Sequence, residues 1–233
     1  MLKVCIVGIC GSMGRHIYEL LQNNDEYQVI CGIDQKSFEH VKTYISYDEL
    51  NNNEIDLLID FSKADFSYQT IKKALKDQIK VISGTTNLKK SEIDELIMIA
   101  KKNRVGFIHT PNFAKGASLM YKLINDYKDY FSSHDLIEIH KKRKIDKPSG
   151  TAKEYAINLD KNIENIQVLR LDNTNTTHQV IFSNQDERFT ITHEILNQEA
   201  FDKGFMLSLK ALGKDDIVGL KMFYEFYFDS TLP

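Results

Sequence analysis

The chain has 233 residues, with 30 Lys and Arg against 33 Asp and Glu for a formal charge of −3. That balance excludes a chain-wide basic field for nucleic acid or an anionic membrane. Hydrophobic residues at 42% and charged residues at 27% exclude a disordered chain, and the length suits one large domain or two small ones.

Val4, Ile6 and Val7 form a short apolar run ending at Gly8, the pattern of a buried parallel strand. Met1 leads straight into this run, which is too short to span a bilayer and has no cleavage site after it. No secretory, transit or membrane segment is therefore expected. Cys5, Cys10 and Cys31 form no CxxC pair and read as reduced, packed thiols of a cytoplasmic protein. Ile17, Leu20 and Leu21 recur at helical spacing, and 29–33 predicts a second strand closed by Asp34. Leu57 to Ile59, Val81 to Ile82 and Gly106 to Ile108 predict further strands. Between them, Tyr68, Ile71 and Leu75, then Ile93, Leu96, Ile97 and Ala100, predict helices. Such alternation predicts an α/β fold: a Rossmann-like doubly wound parallel sheet, with active groups at the carboxyl ends of its strands.

The pattern changes after Pro111. Leu119, Met120, Leu123, Ile124, Tyr127 and Phe131 predict one long amphipathic helix. Leu136 to His140, Val168 to Leu171, Val180 to Phe182 and Phe189 to Ile195 have strand-like, period-two polarity. They predict a second α+β domain with a mixed or antiparallel sheet covered on one face by helices. The aromatic run from Phe223 to Phe228 is expected to pack back onto the first domain. The expected division is 1–113 with 212–233 for the first domain, and 114–211 for the second.

Gly8, Ile9, Cys10, Gly11, Ser12, Met13 and Gly14 join the first strand to the first helix. Glycines there allow a tight turn and let a pyrophosphate approach the backbone at a helix N-terminus. The spacing is GxxGxxG, looser than GxGxxG, and such a turn also occurs as a plain helix entry. Its position and Asp34 at the end of the second strand, placed to accept from ribose hydroxyls, favour a dinucleotide site. Asp34 favours NADH by repelling a 2′-phosphate, while Lys36 keeps NADPH open, so the expected cofactor is NADH, NADPH or both. Gly84, Thr85 and Thr86, and Thr110, Pro111, Asn112 and Phe113, follow later strands and are expected to line the same crevice.

The stretch from His140 to Ala152 carries Lys141, Lys142, Arg143, Lys144 and Lys147. A charge run is ordinarily a solvated face, and no interleaved aromatics offer base-stacking platforms for nucleic acid. Here Glu138 and His140 share one face of the preceding strand, with Ile137 and Ile139 on the other. Pro148 then precedes Ser149, Gly150 and Thr151, which are expected to cap and open a helix. That helix start, flanked by lysines, suits a small dianion such as a dicarboxylate. His140 is a candidate proton donor or acceptor near neutral pH, and Lys144 a candidate proton source. His178 and His193 read as structural, and no metal site is expected.

These motifs, together with Ile59 to Ser62, give the chain a resemblance over nearly its whole length to the 4-hydroxy-tetrahydrodipicolinate reductase (dihydrodipicolinate reductase) family. The most specific element is Glu138 through Ala152, which follows the family pattern Glu-x-His-His-x-x-Lys-x-Asp-x-Pro-Ser-Gly-Thr-Ala. The resemblance implies an NAD(P)H-dependent oxidoreductase of lysine and diaminopimelate biosynthesis, reducing a small cyclic dicarboxylate, 4-hydroxy-tetrahydrodipicolinate, to tetrahydrodipicolinate. It implies a dinucleotide-binding first domain and a second domain that binds substrate and assembles a homotetramer through its sheet. By the same match His140 is the general acid/base and Lys144 the second catalytic proton donor. Lys141, Ser149, Gly150 and Thr151 hold the substrate carboxylates.

The chain also departs from the family pattern. Lys141 replaces the second histidine, Asn87 the glycine after Gly84-Thr85-Thr86, Thr176-Thr177-His178 the usual Gly-Glu-His, and Gln198 an arginine. A different two-domain oxidoreductase of a small amino acid or aldehyde leaves the stretch from His140 to Ala152 unexplained. A non-catalytic dinucleotide sensor makes His140 and Lys144 dispensable.

Overall fold

The computed structural model describes residues 1–51 and 54–213. The aromatic run from Phe223 to Phe228 lies outside the described residues. Among the described residues the chain forms two compact units, one of Met1–Pro111 with 205–213, the other of Asn112–Gly204.

The first unit alternates β1 (Leu2–Val7), α1 (Ser12–Gln22), β2 (Tyr27–Ile33), β3 (Lys42–Tyr44), β4 (Leu57–Asp60), α2 (Ala64–Lys76), β5 (Lys80–Ser83), α3 (Lys90–Asn103) and β6 (Phe107–His109). The strands make a six-stranded sheet in the order β3-β2-β1-β4-β5-β6, with every pair parallel. Val4 to Val7 and Leu57 to Asp60 are buried without alternation, as strands covered on both faces must be. Their carboxyl ends flank the point where strand order reverses, the usual ligand position in such sheets. Strand β3 was not anticipated, because its three residues, Lys42, Thr43 and Tyr44, lie on the edge and carry no apolar run. Cys5 and Cys31 are buried register partners on β1 and β2, and all three thiols are free.

The second unit contains α4 (Lys115–Tyr127), β7 (Ser133–Lys141), α5 (Gly150–Asn158), β8 (Gln167–Leu171), β9 (Thr176–Ser183) and β10 (Arg188–Ile195). Its sheet runs β10-β9-β7-β8, with β7 and β8 parallel and the other pairs antiparallel, so it is mixed. Met120, Ile124, Ala152, Tyr155 and Ala156 from α4 and α5 pack on Leu136, Val180 and Phe182. The long helix expected through Phe131 stops at Tyr127 and gives way to a 3-10 turn over Lys128–Tyr130. Phe131 is extended and packs its ring 5.5 Å from Phe182, so its apolar signal belongs to the sheet rather than to a helix face.

Register sorts this sheet into two faces. Leu136, Glu138, Val168, His178, Val180 and His193 are matched across strands, and His140 stands opposite Arg170. The other face carries Ile137, Ile139 and Ile181, with Leu169 and Leu171 exposed. Helix α6 (Asp202–Gly213) follows β10, and the first unit resumes within it at Phe205. Phe205, Leu209 and Leu212 are buried at helical spacing, with the Phe205 ring 6.2 Å from that of Phe61. No helix among the described residues is long and apolar enough to cross a membrane.

Candidate active site

Gly8 ends β1 at φ +78°, a left-handed conformation that favours glycine, and a Cβ there would lie 2.6 Å from the Phe61 carbonyl oxygen. A Cβ on Gly14 would meet the Gly8 carbonyl oxygen at 2.2 Å. The turn closes through Gly11 N–H donating to Gly8 O at 2.9 Å, and α1 starts from Gly11 with no side chain capping it. This bare helix start beside a close-packed glycine turn is the arrangement that takes a phosphate. The Asp34 carboxylate accepts from the amides of Cys10 at 3.0 Å and Lys36 at 3.2 Å, which fixes it beside the turn. These features fit a dinucleotide. Ser12 and Met13 occupy the first turn of α1. Ile9 is fully buried against Gly32, so only its backbone belongs to the loop, and Cys10 donates its thiol to Lys36 O at 3.2 Å.

At the ends of β4 and β5 the organising group is Asp60, which sequence reading used only as part of a motif. Its buried carboxylate accepts from Ser62 N–H at 3.1 Å, the Ser62 and Ser67 hydroxyls, and Ser83 Oγ at 2.9 Å. Gly84 N–H donates to Asp60 O, Thr110 N–H to Ser83 O, and the Thr85 hydroxyl to Ser62 O at 3.3 Å. Thr85 and Thr110 are buried, so they shape the turns, while Gly84, Thr86 and Pro111 reach the surface in part. Asn87 has φ 67°, a left-handed conformation that favours glycine and that asparagine tolerates. Behind them His109 is buried, and that burial holds its imidazole down to about 4.

The second unit gathers its polar groups around Glu138, which has no exposed surface. One carboxylate oxygen accepts from Ser149 N–H at 2.8 Å; the other is ion-paired with Arg170 Nη2, also at 2.8 Å. Burial by itself would raise this carboxyl, but donation from His178, Ser149 and Arg170 outweighs it and holds Glu138 near 2. His140 Nε2 lies 3.9 Å from Glu138 Oε2, and its Nδ1 lies 3.1 Å from the Thr176 hydroxyl. Desolvation lowers His140 to about 4, with His178, Lys144 and Arg170 adding to the effect and Glu138 opposing it. The imidazole is therefore neutral at pH 7.

Ser149 caps α5, its Oγ accepting from Ala152 N–H at 3.2 Å while also lying 3.3 Å from His178 Nε2. Gly150 is the first helical residue. The Thr151 hydroxyl accepts from Asn112 Nδ2 at 3.3 Å, while Asn112 Oδ1 accepts from Ala114 N–H. Asn112 thus contacts the start of α5, and Phe113 is buried. Lys144 sits in the turn after β7, its ammonium 3.1 Å from Asp146 Oδ2. Arg170 reaches that turn too, donating to the carbonyls of Lys144 at 3.4 Å and of Asp146.

The structure thus brings together His140, Lys144, Ser149, Gly150 and Thr151, and adds Glu138, Arg170 and Thr176. It does not add Lys141, which is exposed and pairs in register with Leu171 on the other side of the sheet. Lys141 instead lines an open polar groove of about 690 Å³ with Lys142, Arg143, Asp172 and Glu194. His178 is buried beside Glu138, and His193 packs on Gly116, consistent with structural roles. Glu138, His140 and His178 offer ligand atoms within 4.8 Å of one another, a spacing that a metal ion could bridge. Both Glu138 oxygens, however, are committed to Ser149 and the cationic Arg170.

Comparison with known proteins covers nearly the whole chain. Residues 2–113 match the model for the dihydrodipicolinate reductase N-terminus, and 116–224 that for its C-terminus. The chain is 30% identical to a 4-hydroxy-tetrahydrodipicolinate reductase of Dictyoglomus turgidum, covering 96% of this chain and 98% of that one. It is 28% identical to the protein of that name from Lactobacillus acidophilus, over 94% and 97% of the two chains. A dipicolinate-bound dihydrodipicolinate reductase from Paenisporosarcina sp. TG-14 shares the fold at TM-score 0.76 and 23% identity, covering 95% of this chain and 97% of that one. Aspartate dehydrogenase from Thermotoga maritima shares the fold more distantly, at TM-score 0.59 and 12% identity over 94% and 100%. Glycine turn, buried Glu138 cluster and both family models lead to one conclusion: the chain belongs to the dihydrodipicolinate reductase family.

Proposed function

We propose that the chain reduces 4-hydroxy-tetrahydrodipicolinate to tetrahydrodipicolinate with NADH or NADPH, the activity named for its relatives. The observation that carries this reading is the Glu138 cluster, which sets Lys144, a neutral imidazole and a helix start on one small part of the second unit. Bound reduced nicotinamide would supply the hydride, and the 4-hydroxyl with a hydrogen from the adjacent ring carbon leaves as water, so that hydride, one proton and loss of water together give the product. The glycine turn and the start of α1 hold the pyrophosphate, and Asp34 accepts from the adenosine ribose. The Gly150 and Thr151 end of α5 receives a substrate carboxylate, where the helix dipole favours negative charge. Lys144 gives its Nζ proton to the reduced substrate. His140, neutral at pH 7, hydrogen-bonds substrate and relays a proton instead of acting as a standing cation.

Assembly is proposed as a homotetramer through the sheet face that bears Ile137, Ile139, Leu169 and Leu171, in the cytoplasm where free thiols persist. Light scattering on the purified chain reads the assembly.

The activity test mixes the chain with a synthase that condenses pyruvate with aspartate semialdehyde. Substrate-dependent loss of reduced-nicotinamide absorbance supports the reading. No loss with either cofactor overturns it.

A further inference from the structure

We infer that Arg170 is a positioning residue for this reaction, holding the Lys144 turn in place by tying it to the buried Glu138 carboxylate. The inference rests on the proposed proton-donor role of Lys144. Arg170 lies on β8 directly opposite His140, and only 13% of its side chain is exposed. Its guanidinium addresses two bodies at once: Glu138 on β7, and the carbonyls of Lys144 and Asp146 in the turn. A planar fork can do this because its donors leave in fixed, divergent directions; an ammonium offers one point charge.

Backbone bonds hold the start of the turn, Lys142 N–H on Leu171 O and Lys144 N–H on Lys141 O, both at 3.0 Å, and Ser149 N–H on Glu138 holds the chain beyond it, while Arg170 bonds the carbonyls between. The ion pair of Lys142 with Asp172 is exposed and holds little. The Lys144 ammonium faces Asp146, whose own backbone carbonyl is one of the two that Arg170 grips. Arg170 therefore sets donor and counter-ion together. It also places a positive charge near His140, which works with burial to keep that ring neutral.

The test uses the full chain with Arg170→Lys, which keeps a cation for Glu138 but not the fork, and with Arg170→Ala, each alone and combined with Lys144→Ala. Arg170→Lys is expected to lower kcat by about 10²-fold, the scale of a misplacement near 1 Å, with KM for reduced cofactor within about twofold. Added guanidinium is expected to restore Arg170→Ala by at least about tenfold. The double variant with Lys144→Ala is expected to be no slower than Lys144→Ala alone, because both changes remove the same function. Amide hydrogen exchange over 142–147 should speed up in Arg170→Lys while the sheet is unchanged.

Parent-like kcat and exchange in Arg170→Lys, or losses that multiply in the double variant, overturn the inference. A parent chain without turnover, or a fully active Lys144→Ala, overturns the functional reading instead. The exchange measurement still reports the anchor in that case.

Discussion

Arg170 Nη2 stands 2.8 Å from Glu138 Oε1, an ion pair in which the carboxylate has no exposed surface and the guanidinium very little. Removing one partner of such a pair strands a charge in the interior. Glu138→Ala is expected to destabilise the chain by about 3–5 kcal/mol, whereas an exposed pair such as Lys142 and Asp172 should contribute less than about 1 kcal/mol. Urea denaturation of Glu138→Ala and Asp172→Ala checks the contrast. Similar losses in the two variants would contradict it.

His109 binds a proton less readily when folded, near 4, than its ordinary 6.5. Its contribution is thus full above pH 6.5 and is lost as pH falls through that value towards 4. Between pH 7 and pH 5 this amounts to about 2 kcal/mol. His109→Asn removes the titrating group, so its stability should fall less than the parent's between those two pH values. Urea midpoints at pH 7 and pH 5 measure the difference; equal falls would place the acid sensitivity elsewhere.

Gly14 has no room for a side chain against the Gly8 carbonyl, while Asp34 is held by two backbone amides beside that turn. Gly14→Ala is expected to raise KM for both reduced cofactors by about tenfold or more, because the turn proposed to take the pyrophosphate must shift. Asp34→Ala should weaken NADH more than NADPH. Steady-state kinetics with both cofactors separate the two effects, and an equal loss in Asp34→Ala would argue against a ribose contact.

At φ 67° Asn87 occupies a conformation that asparagine tolerates and β-branched residues resist. Asn87→Gly should leave stability within about 0.5 kcal/mol, and Asn87→Val should cost about 1–3 kcal/mol. Thermal melts of the two variants test this. A harmless valine would mean that the turn adopts another backbone in solution.

The parts that were readable in the sequence share a cause: each is written in consecutive residues. Val4 to Val7 and Leu57 to Asp60 are buried on both faces, so their apolar runs announce a parallel sheet. Gly8 answers to its own positive φ and Gly14 to the nearby Gly8 carbonyl, and Ser149 announces the start of α5 by its capping chemistry. What escaped depends on distant partners. Arg170 reads as an ordinary strand residue because the carbonyls it grips lie 26 and 24 residues earlier. Asp60 is readable as part of a motif, but its serine donors come from α2 and β5 as well as its own turn. Lys141 follows its neighbour in the motif, yet the two-residue period of β7 puts it and His140 on opposite sides.

The inward face of the second sheet also sorts the consequences of mutation along the strands. Leu136, Val180 and Phe182 occupy one stretch under the helices, while Glu138, His140, Arg170 and His178 occupy the next. Substitutions at the first stretch should reduce how much folded protein accumulates but leave each folded molecule at parental speed. At His140 the reverse should hold, with parental yield and slow turnover. Glu138 stands on the boundary, one pleat from Leu136, and its variants should lose in both measures. A variant library scored separately for abundance and turnover would therefore show a gradient along β7, running from the middle of the strand to its carboxyl end.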